Sequence, residues 1–272
     1  MQPIPTAEGW HVLHIFYRLE NAARAKLQPL QKDFLSLIQA ARKQRDFQIL
    51  TVSMIGHKAD LGFMVLSPDL AALQQFEKQL SALLGPAGAA PAFSYLSMTE
   101  SSEYTTSPEE HARQLEQGEG LKPGSPEFEA KMGEFKARME KYLQHRLYPV
   151  LPPWPIFCFY PMSKRRDGDH NWYMLDFAAR KKLMEGHARV GRKYSGRILQ
   201  LITGSTGLDD WEWGVTLLAH DLIAVKQIVY EMRFDEVSAA YADFGEFYIG
   251  IQLPAEELIP SLTSRAEELA LV

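Results

Sequence analysis

The hydrophobic pattern of this 272-residue chain passes twice through one order of strands and helices. Strands are indicated where apolar residues alternate or form short runs, and helices where they recur every three to four positions. The first half has strands near 10–19, 47–56, 60–67 and 92–99, with helices near 22–44 and 69–84. The second half has strands near 155–163, 197–204, 211–219 and 245–253, with helices near 176–193 and 221–242. Both halves follow the order βαββαβ, which predicts an α+β protein of duplicated ferredoxin-like units, as two packed sheets or one barrel with helices outside.

A helical segment separates the two repeats. Ser107 and Ser125 each precede a proline and a glutamate, a combination that begins helices with a hydroxyl cap and a proline at the first helical position. The second helix runs to about Arg146, and the stretch 118–124 between the two helices has the composition of a surface loop. The sequence therefore predicts three regions, which are a first ferredoxin-like half at 1–106, a helical linker at 107–150 and a second ferredoxin-like half at 151–272.

The composition excludes several classes of function. A net charge of −5 argues against broad binding to nucleic acid or to an anionic membrane. No stretch approaches the ~18 consecutive apolar residues of a membrane-spanning helix, and the first nine residues lack the features of a secretory signal. The single cysteine, Cys158, lies in an apolar strand pattern and excludes an intramolecular disulfide, so we expect a cytoplasmic protein with a buried thiol.

The helix predicted at 176–193 carries a histidine on an apolar face. Leu183, Met184, His187 and Val190 are spaced so that they share roughly one side of this helix. A histidine in that setting can bind the iron of a planar apolar cofactor through one imidazole nitrogen. The alternative is a core histidine satisfied by a backbone carbonyl, which is the commoner case for a lone histidine.

A set of motifs in the second half carries a resemblance to a known family. The segment Tyr160–Arg166 is followed by His187 and then by Gln200, which lie 27 and 40 residues after Tyr160. Further matching segments are 172–175, 191–194, 202–205, 211–217 and 230–239. Taken together, they resemble the C-terminal half of the coproheme decarboxylases, the HemQ branch of the chlorite dismutase superfamily.

The resemblance implies a fold, a reaction and an assembly. The fold would be of the dimeric α+β barrel type, and the assembly a homopentamer that contacts a coproporphyrin ferrochelatase transiently. The substrate would be iron coproporphyrin III (coproheme), with hydrogen peroxide as oxidant. A tyrosyl radical would take a hydrogen atom from a propionate, which then loses carbon dioxide and becomes a vinyl group. Two rounds would give heme b through a three-propionate intermediate.

The resemblance also assigns residues to these roles. His187 would be the axial ligand of the iron, Tyr160 the radical-bearing residue, and Lys164 a second catalytic residue beside the reacting propionate. The residues that would bind the porphyrin or its propionates are Arg146, Met162, Trp172, Gln200, Trp213, Arg233 and Ser238. A guanidinium suits this task because it can hold a carboxylate through two hydrogen bonds.

Each of these residues also has a simpler interpretation. Lys164 to Arg166 could form a solvated turn, and Arg146 could be a helix-end cation favoured by the helix dipole. Arg233 could pair with a carboxylate that follows it, Asp235 or Glu236. The two tryptophans suit the packing of a wall more than electron relay.

Gln200 separates the branches of the superfamily. Chlorite-decomposing members carry an arginine at this point, and a neutral amide cannot supply that charge. The alternatives to a decarboxylase are another heme-dependent peroxidase or a chlorite dismutase-like enzyme, a non-catalytic heme-binding or delivery protein, and a ligand-free interaction module. Because Tyr160 and His187 serve different steps, their joint presence favours the enzyme.

Overall fold

The computed structural model describes residues 6–20 and 23–263. Its strands are β1 (Glu8–Leu19), β2 (Gln48–Ile55), β3 (Leu61–Ser67), β4 (Ala89–Glu100), β5 (Ile156–Lys164), β6 (Ile198–Gly204), β7 (Trp213–Ala219), β8 (Ala242–Phe244) and β9 (Tyr248–Leu253). Its helices are α1 (Ala23–Leu27), α2 (Gln31–Arg42), α3 (Leu70–Leu84), α4 (Pro108–Gly118), α5 (Pro126–Leu147), α6 (Phe177–Arg192), α7 (Leu222–Met232), α8 (Glu236–Tyr241) and α9 (Ala255–Thr263). The predicted start of the first helix at residue 22 lies outside the described residues, as do the first five residues of the segment tested for a secretory signal.

The strands form one closed antiparallel barrel. Their order is β7-β6-β4-β1-β3-β2-β9-β5, and a further pairing of β7 with β5 closes the ring, while β8 continues the edge of β5 next to β9. Within each repeat the strands follow the ferredoxin-like order 4-1-3-2, and the repeats join where β4 meets β6 and where β2 meets β9. The predicted duplicated α+β fold is therefore confirmed, with the barrel as the form it takes.

The two faces of the barrel wall carry separate cores, because neighbouring side chains in a strand point to opposite faces. Inside the barrel lies an aromatic cluster that includes Phe16, Tyr95, Phe157 and Phe159. Outside the first repeat, α2, α3 and α9 cover the sheet, and outside the second repeat Cys158 belongs to a core shared with α7. Cys158 is fully buried, as predicted, and burial raises the pKa of its thiol to about 12.

The corresponding helices of the two repeats are packed differently. In the first repeat, α2 buries Phe34 and Ile38 in the core outside the sheet. In the second repeat, α6 packs against α7 and α8, and its apolar residues Leu183, Met184 and Val190 are only half-buried. The second repeat therefore leaves a partly uncovered apolar helix face where the first repeat has a closed core.

The predicted single helix at 221–242 is wrong. The structure has α7 and α8 in this segment, followed directly by the short strand β8. Asp235 begins α8 as its N-cap, because its carboxylate accepts a hydrogen bond from the backbone N–H of Ser238 at 3.4 Å. An aspartate is more favourable at this position than inside a helix, where its side chain competes for backbone groups.

The chain divides into two compact units. Among the described residues, one contains 10–99 and 151–263, which hold most of the barrel and its helices, and the other contains 6–9 and 100–150. In the second unit α4 and α5 begin at the predicted caps, where the hydroxyls of Ser107 and Ser125 accept backbone N–H groups. None of the helices in the described ranges has the length and hydropathy needed to cross a membrane.

Candidate functional site

The outer face of the second repeat's sheet presents the residues of the Tyr160 motif. Tyr160, Met162 and Lys164 occupy alternate positions of β5, so their side chains share this face. In the strand pairing, Tyr160 lies opposite Val215, and Met162 lies opposite Trp213 of β7 and Phe244 of β8. Three predicted residues of β5 and one of β7 therefore line a single wall.

Tyr160 is a buried phenol whose hydroxyl has no hydrogen-bond partner among the described residues. Its side chain is only 6% exposed, and its ring stacks on Phe247 with a centroid separation of 4.3 Å. Burial raises the pKa of Tyr160 strongly, Cys158 adds to the rise, and the positive charge of Arg233 opposes it. No described residue forms a hydrogen bond with the hydroxyl. The phenol thus stays protonated at neutral pH and keeps its hydrogen available to a bound molecule.

Lys164 is a buried ammonium group. Its Nζ lies 4.4 Å from the ring centroid of Trp172, which is itself buried in a short 3-10 turn. Burial lowers the pKa of Lys164 to about 8, although the carboxylates of Asp235 and Glu212 raise it. No described residue hydrogen-bonds Nζ. The predicted alternative of a solvated turn is therefore wrong for Lys164, while the next residue, Arg165, pairs with Asp243 near the surface.

His187 projects from α6 and is oriented by a carboxylate. Its Nδ1 lies 2.8 Å from Oδ2 of Asp235, and no described residue contacts Nε2 by a hydrogen bond. Burial would raise the pKa of Asp235, but His187, the backbone N–H of Ser238 and the charge of Lys164 together lower it. A carboxylate that accepts the Nδ1 proton leaves Nε2 as a free base, which is the usual arrangement for a metal-binding histidine.

Asp235 was not among the predicted site residues, and the alternative of a carbonyl partner for His187 is wrong. The two residues are 48 positions apart, so no local spacing connects them. One sequence feature could have indicated a helix start at Asp235. Aspartate is favoured as an N-cap, and Ser238 follows it by three positions. The break between α7 and α8 is what brings Asp235 to the imidazole.

Two predicted propionate partners flank this carboxylate. Ser238, in the first turn of α8, is 6% exposed, and its hydroxyl has no hydrogen-bond partner among the described residues. Arg233 lies over the ring of Phe244, with its guanidinium carbon 3.8 Å from the ring centroid. The ion pairs predicted as an alternative for Arg233, with Asp235 or Glu236, are not found in the described part of the chain.

Gln200 connects β6 to the end of α6. It lies opposite Leu217 on β7, and its Nε2 donates to the backbone oxygen of Gly191 at 3.3 Å. A Cβ atom at Gly191 would lie 3.1 Å from this amide, so the glycine allows the close approach of helix and strand. The amide therefore stands at the edge of the same face as Tyr160.

Arg146 belongs to the other compact unit. It lies in the last turn of α5, and its Nε is buried without a hydrogen-bond partner in the described chain. Its contribution to the site stays a prediction.

The collected side chains suit an iron porphyrin that bears carboxylates. The face combines an imidazole with a free Nε2, a half-buried apolar helix side, and unpartnered hydroxyl and ammonium groups at Tyr160, Ser238 and Lys164, as far as the described residues go. A flat apolar ring needs such a wall, its metal needs an axial base, and its carboxylates need charged or polar donors. Each requirement is met by residues of the barrel unit alone.

Comparisons with known proteins give a consistent result. The family model described as Chlorite dismutase matches residues 28–253. A heme-binding protein from Thermus thermophilus is 36% identical with a TM-score of 0.79, over 96% of this chain and 98% of that one. A chlorite dismutase variant from Candidatus Nitrospira defluvii is 18% identical with a TM-score of 0.70, over 95% and 97%. A putative chlorite dismutase is 20% identical with a TM-score of 0.67, over 94% and 100%, and these last two show the shared fold alone.

Proposed function

Since the chain belongs to the chlorite dismutase family, we propose that it binds iron coproporphyrin III and uses hydrogen peroxide to convert two propionates to vinyl groups, giving heme b. The observation that carries this proposal is the shared face of Tyr160 and Lys164, a phenol and an ammonium without partners in the described chain, beside His187. The relative from Thermus thermophilus is described as heme-binding, which supports a porphyrin ligand.

The reaction balances with one peroxide for each propionate. A propionate side chain loses a hydrogen atom from its β-carbon, one further electron and carbon dioxide, and the vinyl group remains. The two oxidising equivalents come from hydrogen peroxide, which takes up protons and leaves as two molecules of water. When bound, the iron would carry the redox chemistry that makes the oxidising equivalents of the peroxide usable.

His187, Asp235 and Tyr160 have different roles in the proposed reaction. His187 binds the metal through Nε2, and Asp235 holds the imidazole in the required orientation through Nδ1. Tyr160 gives up its phenolic hydrogen atom and then takes the hydrogen atom from the β-carbon. The phenol must lie close to the β-carbon of the propionate, because a hydrogen atom is transferred only over a short distance.

Lys164 orients the reacting carboxylate and compensates its charge. The lysine lies two positions beyond Met162 on the face that carries Tyr160. The charges of Asp235 and Glu212 act on this ammonium, but neither is paired with it directly, so a propionate can form a charge-assisted hydrogen bond to Nζ in a buried setting. Arg146, Arg233 and Ser238 are the proposed partners of the other propionates, while Met162, Trp172 and Trp213 wall the ring.

Gln200 favours decarboxylation over chlorite decomposition. Its amide is neutral and donates to a backbone oxygen, so it would supply no positive charge to hold an oxyanion at a bound iron. We include in the proposal a homopentameric assembly, a cytoplasmic location and a transient partner that supplies the iron porphyrin, a coproporphyrin ferrochelatase.

The test is to load the purified protein with coproheme, titrate hydrogen peroxide and follow the porphyrin by mass spectrometry. The wild type is expected to lose two carboxyl groups in succession. Tyr160→Phe is expected to bind coproheme and lose none, because the ring remains but the hydroxyl hydrogen is gone. His187→Ala is expected to bind weakly and to lack the spectrum of a histidine-ligated iron.

The matched control is Tyr194→Phe. Tyr194 is also buried in the core outside this sheet, but its hydroxyl donates to Glu231 at 2.9 Å. This variant should decarboxylate like the wild type. Binding without any loss of mass in the wild type would instead indicate a heme carrier or a peroxidase, and would contradict the proposed reaction.

A further inference from the structure

The helix that carries His187 is the most basic stretch of an acidic protein. Residues 177–197 contain seven lysines and arginines against one acidic residue, Glu185, which is a net charge of +6 in a chain whose total is −5. The counterpart stretch of the first repeat, 24–44, is equally long and has five against one, which is a net charge of +4. The excess of positive charge is therefore larger in the repeat that holds the candidate site.

Three of these cations are exposed and unpaired. Lys182, Arg189 and Arg192 are exposed, and none forms an ion pair with a described residue. At 100° per residue they lie on the side of α6 opposite His187, toward solvent. Two other cations of the stretch have partners, since Lys193 pairs with Glu231 and Arg197 donates to Gln227.

The three exposed charges are close enough to act on a molecule that approaches the site. Each is at most five residues from His187, which is about 8 Å along the helix axis. Because they lie on the opposite side of a helix about 10–12 Å wide, their separation from the site is larger than this axial offset. The Debye length is about 8 Å at physiological ionic strength and about 30 Å at 0.01 M, so their field reaches the site in low salt and falls sharply as salt rises. Local fields of this kind raise association rates of oppositely charged ligands by roughly 10 to 1,000-fold.

We propose that the basic outer face of α6, formed by Lys182, Arg189 and Arg192, captures the porphyrin electrostatically and favours the tetracarboxylate substrate over its dicarboxylate product. This inference rests on the proposed function, because that function defines the two ligands. Coproheme carries four propionates and heme b carries two, so complete conversion removes two negative charges. The attraction that draws the substrate in is thereby weakened for the product that must leave.

The test measures association and dissociation rates of ferric coproheme and ferric heme b by stopped flow, over a range of salt concentrations. The wild type should bind coproheme more slowly as salt rises, with a steeper dependence than that for heme b, because coproheme carries two more carboxylates. In low salt, the triple variant Lys182→Glu, Arg189→Glu, Arg192→Glu should bind coproheme about tenfold more slowly or worse. Its dissociation rate should change by less than about twofold, because steering acts mainly on association.

The matched control reverses three exposed cations on and just after α2. The variant Lys32→Glu, Lys43→Glu, Arg45→Glu makes the same change in net charge on the first repeat. It should bind coproheme at the wild-type rate within about twofold. If both triple variants bound coproheme equally slowly, the net charge of the protein and not this face would set the association rate, and the proposal would be overturned.

The outcomes separate this proposal from the proposed reaction. At saturating coproheme and peroxide, the α6 triple variant should lose carboxyl groups as the wild type does. Association that is insensitive to salt and to the triple change would overturn electrostatic capture while leaving decarboxylation in place. Salt-dependent association in a protein that never removes a carboxyl group would support capture and overturn the reaction.

Discussion

At the scale of single residues, the site includes two buried polar side chains without hydrogen-bond partners among the described residues. Tyr160 and Lys164 are each less than a tenth exposed, yet neither side-chain polar group has a hydrogen-bond partner among the described residues. Burial of an unpaired polar group costs free energy, so such positions usually mark a binding function. The predicted strand ended at residue 163, so the place of Lys164 on the same face as Tyr160 became visible only in the structure, as did the burial of both residues and their lack of partners.

The first prediction concerns the cost of burying Lys164. Its pKa in the folded protein is about 8, below the usual value of 10.5, so burial of the charge opposes folding at neutral pH. Lys164→Met is therefore expected to raise the free energy of unfolding without porphyrin by about 2 kcal/mol at pH 7, after allowance for the lost contact with Trp172.

The direction of the pH dependence follows from the pKa of Lys164, which is about 8 in the folded protein and 10.5 in the unfolded chain. As pH rises through about 8, Lys164 loses its proton in the folded protein while the unfolded chain keeps it. The stability advantage of the variant should therefore shrink above pH 8, as measured by urea unfolding at several pH values. Lys58→Met is the control, because Lys58 also lies over an aromatic ring, at 5.6 Å from Tyr248, but is exposed. If the stability gained by Lys164→Met did not change with pH, the lowered pKa of Lys164 would be contradicted.

At the scale of elements, the contrast between α2 and α6 defines the site. Helix α2 buries Phe34 and Ile38, whereas α6 keeps Leu183, Met184 and Val190 half-exposed. Most of a helix's stability in a protein comes from packing of its apolar face. Without a ligand, α6 is therefore the less well supported helix of the pair.

The second prediction is a difference in amide hydrogen exchange. In the protein without porphyrin, amides of residues 177–192 are expected to exchange faster than those of residues 31–42, because α6 has the weaker packing. Coproheme should slow exchange in α6 and leave α2 unchanged, since only the bound state covers the apolar face of α6. Equal protection of both helices before and after loading would show that α6 needs no ligand to complete its packing.

At the scale of the whole barrel unit, two seams join the repeats. One seam pairs β2 with β9 over five residue pairs, from Thr51–Leu253 to Ile55–Ile249. Gly250 permits the close approach in this seam, because a Cβ atom there would lie 2.3 Å from Cγ1 of Val52 and 2.7 Å from the backbone oxygen of Ser53. The closed barrel thus depends on a position without a side chain.

The third prediction tests this seam. Gly250→Ala is expected to lower the free energy of unfolding by about 3 kcal/mol, because the added methyl group meets backbone that cannot move without opening the seam. The measurement is urea unfolding of the protein without porphyrin. Gly133→Ala serves as the control, since nothing lies within 4 Å of its added Cβ and the residue lies inside α5, where alanine is favourable. Loss of less than about 0.5 kcal/mol at Gly250 would mean that the seam relaxes freely.

The amino-acid pattern was sufficient for the order βαββαβ in both repeats, apart from the break in the last helix of the second repeat, and for the capped helices between them. These features are local, since each depends on spacing within one element and on the direction in which neighbouring side chains point. The closure of β7 on β5, the break before Asp235, and the pairing of Asp235 with His187 became visible only in the folded chain. Those outcomes depend on contacts between segments far apart in the chain, and no periodic pattern records which of them meet.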